Sequence, residues 1–399
     1  MGSKDRPVWQ RNLAVLWLSC FMAGAGMSLV QPFLPLFVDT LGEFTRPELS
    51  FWSGAVYAVT FLTQAVVSPL WGRLADRFGR KPMLLRAGFS MAVIMFLSGF
   101  VTNVVQLVVL RAILGMLSGF ISNAVALVAS TTPKEKSGAV IGTLNTSHIA
   151  GLLLGPLVGG LMAAYISYRY VFLVTGVALF VAVVIVAVFV VEKFVPPAKG
   201  KLASTREVFA GIDRARLVVA LFATTFILMI TNTSINPILS LYVREVMDYS
   251  GNIEIASGLA AAAPGITAFI AAPFLGALGD RIGTEKILAF GLALSMVVFV
   301  PMALVTQVWQ LVVLRLVLGI ANASLMPSVQ ALLMRHTPNT VTSRVFSYNQ
   351  SAQSAGMVIG PVVGASIGGL FDYRQVFYVT AAFAALNLVL ALVNTRQRR

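Results

Sequence analysis

The sequence predicts an all-α integral membrane protein with twelve transmembrane helices in two six-helix parallel repeats. Three observations predict this fold class. Of the 399 residues, 58% are hydrophobic and only 11% are charged, whereas a soluble globular chain carries about 25% charged residues. The apolar residues form continuous runs near the ~20-residue length that a helix needs to cross a bilayer. The two halves also repeat one another at an offset of 204 or 205 positions.

The apolar runs predict the domain organisation. Short polar links separate twelve runs, the first near residues 12–38 and the last near 374–394. One longer link contains prolines, glycines and several cations, a composition that is typical of a solvated loop. We therefore predict an N-terminal six-helix bundle over 1–191, a cytoplasmic linker over 192–215 and a C-terminal six-helix bundle over 216–399.

The charges predict the topology and exclude several functions. Most of the 29 Lys and Arg residues lie in links on one side if the N-terminus is cytoplasmic, so the positive-inside rule places both termini in the cytoplasm. The net charge of +14 does not indicate nucleic-acid binding, because the cations are spread over short links. A single cysteine, Cys20, excludes a disulfide framework, and we expect no metal or other cofactor.

No motif for ATP hydrolysis or enzyme catalysis is present. The sequence contains no Gly-x-x-x-x-Gly-Lys-Ser/Thr loop, so an ATP-driven pump is excluded. Only His148 and His336 are available as histidines, and neither belongs to a recognisable catalytic combination. The sequence therefore predicts a protein that is not an enzyme.

A basic segment links the second and third runs, and a second copy lies 204 positions later. Arg77 and Arg80 flank Gly79, which permits a reversal of the backbone. Gly72 is expected to let two helices approach closely. Asp76 is expected to pair with the nearby cations or to face the N-terminus of the eleventh helix, whose dipole favours an anion. A basic loop that only sets the topology is the alternative. The second copy contains Gly276, Asp280 and Arg281.

Two glycine-rich helix faces are also repeated. Small residues at a spacing of four let helix backbones pack closely within a bilayer, and a proline bends a helix. We expect both faces to pack against the eighth and second helices, across the boundary between the two halves. The residues are Gly151, Gly155, Pro156 and Gly159 in the fifth run and Gly356, Gly360, Pro361 and Gly364 in the eleventh.

Together these segments resemble the major facilitator superfamily over the full length, and within it the multidrug exporters of Gram-positive bacteria. The segment 72–84 is similar to the superfamily signature between the second and third helices. Leu110-Arg111 is similar to the fourth-helix motif, and Gly155-Pro156 to the fifth-helix motif of drug–proton antiporters. The resemblance implies export of amphipathic drugs or dyes in exchange for protons, by alternating access, with segment 72–84 as a cytoplasmic latch.

Three residues are the main candidates for proton coupling. His148 is the titratable side chain inside a predicted span whose intrinsic pKa suits the task, and it shares the glycine face that we expect at the boundary between the halves. Asp39, at the outer end of the first run, is the alternative carrier, and Asp76, at the inner end, is the next. The resemblance implies a proton-transfer role for Arg111, which we expect to bond backbone carbonyls or Gln31. A purely structural role remains open for His148 and Arg111.

The candidate substrate-binding residues are uncharged polar, methionine and aromatic side chains inside the predicted spans. Drug pockets are mostly apolar with a few polar groups, and methionine adapts to varied ligands. The set comprises Gln31, Tyr57, Asn123, Asn145, Phe226, Met229, Asn232, Asn236, Asn322, Met326, Tyr348, Gln353 and Met357. For any single member, core packing, lipid contact or an interhelical hydrogen bond is the alternative.

Two functions remain open for such a chain. One is a proton-coupled exporter of hydrophobic small molecules, and the other is a proton-coupled transporter of a defined metabolite on the same fold. The expected partners are substrate, protons and the lipid bilayer, without nucleic acid, and we expect a monomer.

Overall fold

The computed structural model describes residues 7–192, 194, 214–338 and 341–395, apart from a few side chains, that of Asp76 among them. Most of the predicted linker lies outside these residues. The regular structure in the described ranges is helical. The helices are α1 (Val8–Leu29), α2 (Leu34–Asp39), α3 (Arg46–Phe78), α4 (Arg80–Ser98), α5 (Val104–Leu117), α6 (Phe120–Thr131), α7 (Lys134–Tyr165), α8 (Tyr168–Phe189), α9 (Ala215–Thr233), α10 (Leu239–Val246), α11 (Ile253–Ile282), α12 (Thr284–Met302), α13 (Val308–Arg335), α14 (Thr342–Leu370) and α15 (Tyr373–Thr395).

Twelve helical segments of the described chain are long and apolar enough to cross a membrane, which confirms the predicted fold class. Three of the predicted continuous runs are interrupted. A 3-10 turn (Gln31–Phe33) separates α1 from α2, residues 118–119 separate α5 from α6, and residues 234–238 separate α9 from α10. Pro32 and Pro237 lack the N–H that would continue a helix, and Gly119 has a φ of +119°, which an L side chain disfavours.

The chain forms two compact units by its internal contacts. The first comprises Met1–Gly42 and Leu62–Lys199, and the second comprises Glu43–Phe61 and Gly200–Arg399. The division passes through α3, whose N-terminal part packs with the second unit although the repeat assigns it to the first. This exchange of a segment is not visible in the repeat pattern.

In the first unit, the glycine face of α7 packs against α1. A Cβ atom added to Gly151 would lie 2.6 Å from the backbone nitrogen of Ala25. One on Gly155 would meet the Oγ atom of Ser28, whose hydroxyl donates to the carbonyl of Gly151 at 3.2 Å. The expectation that this face packs on the eighth predicted span, which is α11, was therefore wrong. The facing residues of α1, Ala25 and Ser28 among them, are also small, so the backbones of the two helices can approach closely.

The second unit repeats this arrangement with α14 and α9. A Cβ atom on Gly356 would lie 2.5 Å from the carbonyl oxygen of Phe226, and one on Gly360 would lie 3.0 Å from that of Ile230. The second predicted helix, α3, which we expected as the partner of this face, contacts α14 beside it, where a Cβ atom on Gly54 would lie 3.0 Å from the carbonyl oxygen of Pro361, and not at these glycines. Both glycine faces pack inside their own repeat, and Pro156 and Pro361 lie within continuous helices.

Candidate functional site

The signature segment is fixed at the start of α4 by an acid that lies more than a hundred positions away. The two carboxylate oxygens of Glu192 accept the N–H groups of Arg80 and Lys81 at 2.8 and 2.7 Å. An anion stabilises a helix N-terminus in this way. Gly79 has a φ of +96°, and a Cβ atom there would lie 2.9 Å from Glu192 Oε2. Glycine is therefore required at this turn both by its conformation and by the close carboxylate.

Other residues of the two signature copies are exposed or undescribed. The side chain of Asp76 lies outside the described structure, and the guanidinium of exposed Arg77 is 5.3 Å from the centre of the Phe78 ring. A Cβ atom on Gly72 or Gly276 would have no atom of the described chain within 4 Å. The predicted close helix approach at Gly72 is therefore wrong. Asp280 and Arg281 are exposed at the end of α11.

His148 lies against α1 rather than at a boundary between the halves. A Cβ atom on Gly24 would lie 2.9 Å from its Nδ1 atom and 2.6 Å from its carbonyl oxygen. Its Nδ1 atom is buried and has no hydrogen-bond partner among the described residues. The predicted location is corrected because the whole glycine face of α7, which His148 shares, packs on α1.

The other two proton-coupling candidates also lie in the first unit. Asp39 is half-buried and ends α2. Arg111 is 6% exposed in α5, and its guanidinium lies 5.8 Å from the centre of the Phe172 ring in α8. Arg315, its counterpart in the repeat, is buried, and its Nε atom donates to the carbonyl of Ala260. Each repeat thus buries an arginine in a hydrophobic helix, although their neighbours differ.

Several substrate candidates come together in the second unit. Asn232 and Asn322 line one small cavity with Thr231 and Ser295, with room for about one water molecule. The Oγ atom of Ser295 has no protein partner in the described chain. A neighbouring apolar cluster contains Met229, Met326, Tyr348 and Met357.

The remaining candidates are dispersed. Asn123 donates to the carbonyl of Gly119 at 2.7 Å, so its amide helps to hold the break between α5 and α6. Gln31 and Asn236 are half-buried at the breaks that contain Pro32 and Pro237. The others differ in exposure: Tyr57 is buried, Phe226 and Gln353 are half-buried, and Asn145 is exposed.

The break between α5 and α6 is completed by two side chains that the sequence did not single out. Trp71 Nε1 donates to the carbonyl of Met116 at 2.6 Å, and Arg86 Nη2 donates to that of Ser118 at 3.1 Å. The Arg86 guanidinium also lies 3.4 Å from the centre of the Trp71 ring, within cation–π range. The signal that could have found this site is the Ser118-Gly119 pair inside an apolar run.

A group of charges, which we name the Arg46 cluster, lies in the second unit and consists of Arg46, Glu245, Asp372 and Tyr373. Arg46 Nη2 is 2.7 Å from Glu245 Oε1 and 3.1 Å from Asp372 Oδ1. The Arg46 guanidinium lies 4.5 Å from the centre of the Tyr373 ring. Burial raises the pKa of Glu245, and the nearby Arg46 charge only partly opposes this. Sequence reasoning missed the cluster because all three charges lie near the ends of apolar runs.

Two copies of six apolar helices, with proline-associated breaks at equivalent positions, define a multi-pass membrane transporter. The Major Facilitator Superfamily family pattern matches residues 16–261 and 221–399. The chain belongs to the Major Facilitator Superfamily, whose members are transporters rather than enzymes.

Relatives match the chain over its whole length. The chain is 47% identical over 400 residues to the "Multidrug resistance protein MdtG" of Salmonella heidelberg (strain SL476), covering 100% of this chain and 99% of that protein. The protein of the same name from Salmonella paratyphi C (strain RKS4594) has the same identity and coverage. The Gram-positive exporter PmrA, which the motifs resembled most, is not supported as the nearest relative.

The solved structures show the fold alone because their sequence identities are low. A bacterial homologue of the human lysosomal transporter Spinster superposes with a TM-score of 0.80 at 13% identity, covering 99% of this chain and 98% of that one. The human organic anion transporter MFSD10 superposes with a TM-score of 0.68 at 17% identity, covering 97% and 100%.

Proposed function

We propose that the chain exports amphipathic drugs or dyes across the cell membrane in exchange for protons. Transport proceeds by alternating access of two six-helix bundles, residues 1–191 and 216–399. The observation that carries this proposal is the full-length 47% identity to proteins named for multidrug resistance. A transporter of a defined metabolite is the second candidate, because the fold is also found in the bacterial homologue of Spinster and in the organic anion transporter described above.

The chemistry of the second unit supports hydrophobic cargo. Met229, Met326, Tyr348 and Met357 supply an adaptable apolar surface, and the amides of Asn232 and Asn322, with others of the candidate set, can orient a ligand without adding charge. The candidate set contains no carboxylate. We therefore expect neutral, zwitterionic or weakly basic aromatic substrates, without a requirement for permanent positive charge.

The signature segment is proposed as the latch on the cytoplasmic side. The carboxylate of Glu192 holds the start of α4, which gives the segment a fixed base in the first unit. Asp76 and its counterpart Asp280 are the proposed acids of the two copies. The charge asymmetry supports cytoplasmic termini, and we propose that the protein works as a monomer in the lipid bilayer. His148, Asp39 and Arg111 are the proposed residues of the proton path.

Dye accumulation in cells tests the export function. Cells that express the protein should retain less ethidium and Hoechst dye than cells with an empty vector, and dissipating the proton gradient should remove the difference. A Gly155→Leu variant serves as the matched inactive control, because its side chain would meet α1. Equal dye retention with and without the intact protein would refute drug export. Activity restricted to quaternary cations would contradict the proposed substrate class.

A further inference from the structure

The Arg46 cluster involves a segment that the sequence repeat assigns to the first half but that packs with the second unit. Residues 43–61 belong to the second unit, whereas the rest of α3 belongs to the first. The segment packs on α14: a Cβ atom on Gly54 would lie 3.0 Å from the carbonyl oxygen of Pro361, and one on Gly369 would lie 3.1 Å from the Cβ of Ser50. Release of this segment from the second unit must break the Arg46 cluster.

Glu245 occupies a half-buried position among charges from several elements. Arg46 comes from α3, Asp372 from the link before α15, and Arg374 from α15 itself, while Arg244 is its own neighbour on α10. Tyr373 and Tyr242 are the nearby phenols. Arg46 also contacts Asp372 at 3.1 Å. The cluster can therefore keep an ion pair when Glu245 is neutral.

We infer that Glu245 binds a proton and thereby couples proton uptake to the packing of residues 43–61 on the second unit. The proton moves from solvent to a carboxylate oxygen of Glu245 and is returned to water when the segment leaves. The inference rests on the proposed function only in assigning this proton to the transport cycle. It adds a carboxylate to a chain whose predicted spans offered His148 as the main titratable group.

The direction of the coupling follows from the surroundings of the carboxyl group. In the packed arrangement, burial raises the pKa of Glu245 more than Arg46 lowers it. When the segment leaves, the carboxyl meets water and its pKa returns toward the ordinary value. The packed arrangement therefore binds the proton more tightly, so a fall of pH through the raised pKa favours packing and a rise above it favours release.

A distance measurement between two exposed positions tests this inference directly. Spin labels at Phe51→Cys and Leu370→Cys, in a Cys20→Ser background, report the separation of the segment from α14, since these residues are 63% and 75% exposed. The population with a short distance should grow on acidification. In Glu245→Gln it should be high at every pH. Glu43→Gln, which changes an exposed acid of the same segment, should keep the full pH response.

A second variant keeps the test decisive if Glu245→Gln folds poorly. Arg46 lowers the pKa of Glu245, so Arg46→Gln should move the midpoint of the pH response to higher pH. A pH response that persists in Glu245→Gln, a short-distance population that falls on acidification, or an absent response in the parent protein would overturn the inference.

A measurement of substrate-induced proton release detects the exchanged proton directly. Release should disappear in Glu245→Gln, and its loss instead in His148→Gln or Asp39→Asn would transfer the role to that residue. The distance measurement needs no substrate. Dye export with an absent distance response would therefore refute Glu245 alone, and a distance response without dye export would refute the export function alone.

Discussion

The fourth and tenth predicted spans are related by the repeat, but only the fourth is interrupted. α5 ends at Leu117 and α6 begins at Phe120, whereas α13 continues from Val308 to Arg335. Gly119 adopts a φ of +119° at the break, and its counterpart 204 positions later is Ala323, buried within α13. Two segments related by the repeat thus follow different backbone courses in one chain.

The neighbouring side chains differ in parallel with the backbone. Trp71 and Arg86 donate to the carbonyls at the end of α5, and their counterparts, Leu275 and Phe290, have no polar hydrogen to donate. A backbone carbonyl without a donor is costly within a bilayer. In this pair, the interrupted helix is the one whose neighbouring helices, α3 and α4, supply donors to the freed carbonyls.

The largest effect is expected where the two repeats are alike. In Gly159→Leu and Gly364→Leu, the new side chains would meet the backbone carbonyls of Leu29 and Ser234, which cannot move independently. We expect a loss of stability of more than about 3 kcal/mol in each variant, at the upper end of overpacking effects, and hence little folded protein by size-exclusion chromatography. Gly142→Leu is the control on the same helix, because a Cβ there has no described atom within 4 Å.

Equal thermal stability of Gly159→Leu and Gly142→Leu would contradict this close packing. A severe loss in only one of the two repeat-related variants would show that the repeats differ at this contact as well.

A smaller effect is expected at the donors of the interrupted span. Arg86→Leu removes the donor to the Ser118 carbonyl and should destabilise the protein by about 1–3 kcal/mol, as for other unsatisfied buried groups. Phe290→Leu is the control at the related position, where we expect a change within about 0.5 kcal/mol because the residue is 47% exposed. Melting temperatures in detergent compare the two, and equal shifts would remove the proposed role of Arg86.

The smallest effect is expected at the backbone itself. Gly119→Ala forces a Cβ atom into a left-handed conformation, which should reduce stability by about 1–2 kcal/mol. The reciprocal change, Ala323→Gly, should cost about 1 kcal/mol through helix propensity. Thermal denaturation of both variants measures the difference. A neutral or stabilising Gly119→Ala would mean that the break does not need the positive φ.

The sequence predicted the helices and the glycine faces well, because composition and spacing determine them directly. It did not predict which helix packs against each glycine face. The spacing showed that Gly151 and Gly155 share one side of their helix, but not that α1 would cover that side. The break at Gly119 was missed because an isolated glycine is tolerated inside a helix.

The charges of the site were harder to predict. Glu192 and Glu245 lie near the ends of apolar runs, and the sequence gives no sign that one holds the start of α4 and the other contacts Arg46. Linear order cannot show such pairs, because the partners come together only when the helices pack.

The packing of residues 43–61 has a consequence for biosynthesis. Arg46 can form its ion pairs only after Glu245, 199 positions later, and Asp372, 326 positions later, have been synthesised. At about 5–20 residues per second, translation from Arg46 to Asp372 takes roughly 15–65 s. During that interval the N-terminal part of α3 lies beside lipid or an insertion factor without its final partners. The ion pairs of this early segment can therefore form only after the late segment has been made, so a ribosome stalled before Asp372 leaves residues 43–61 without these contacts.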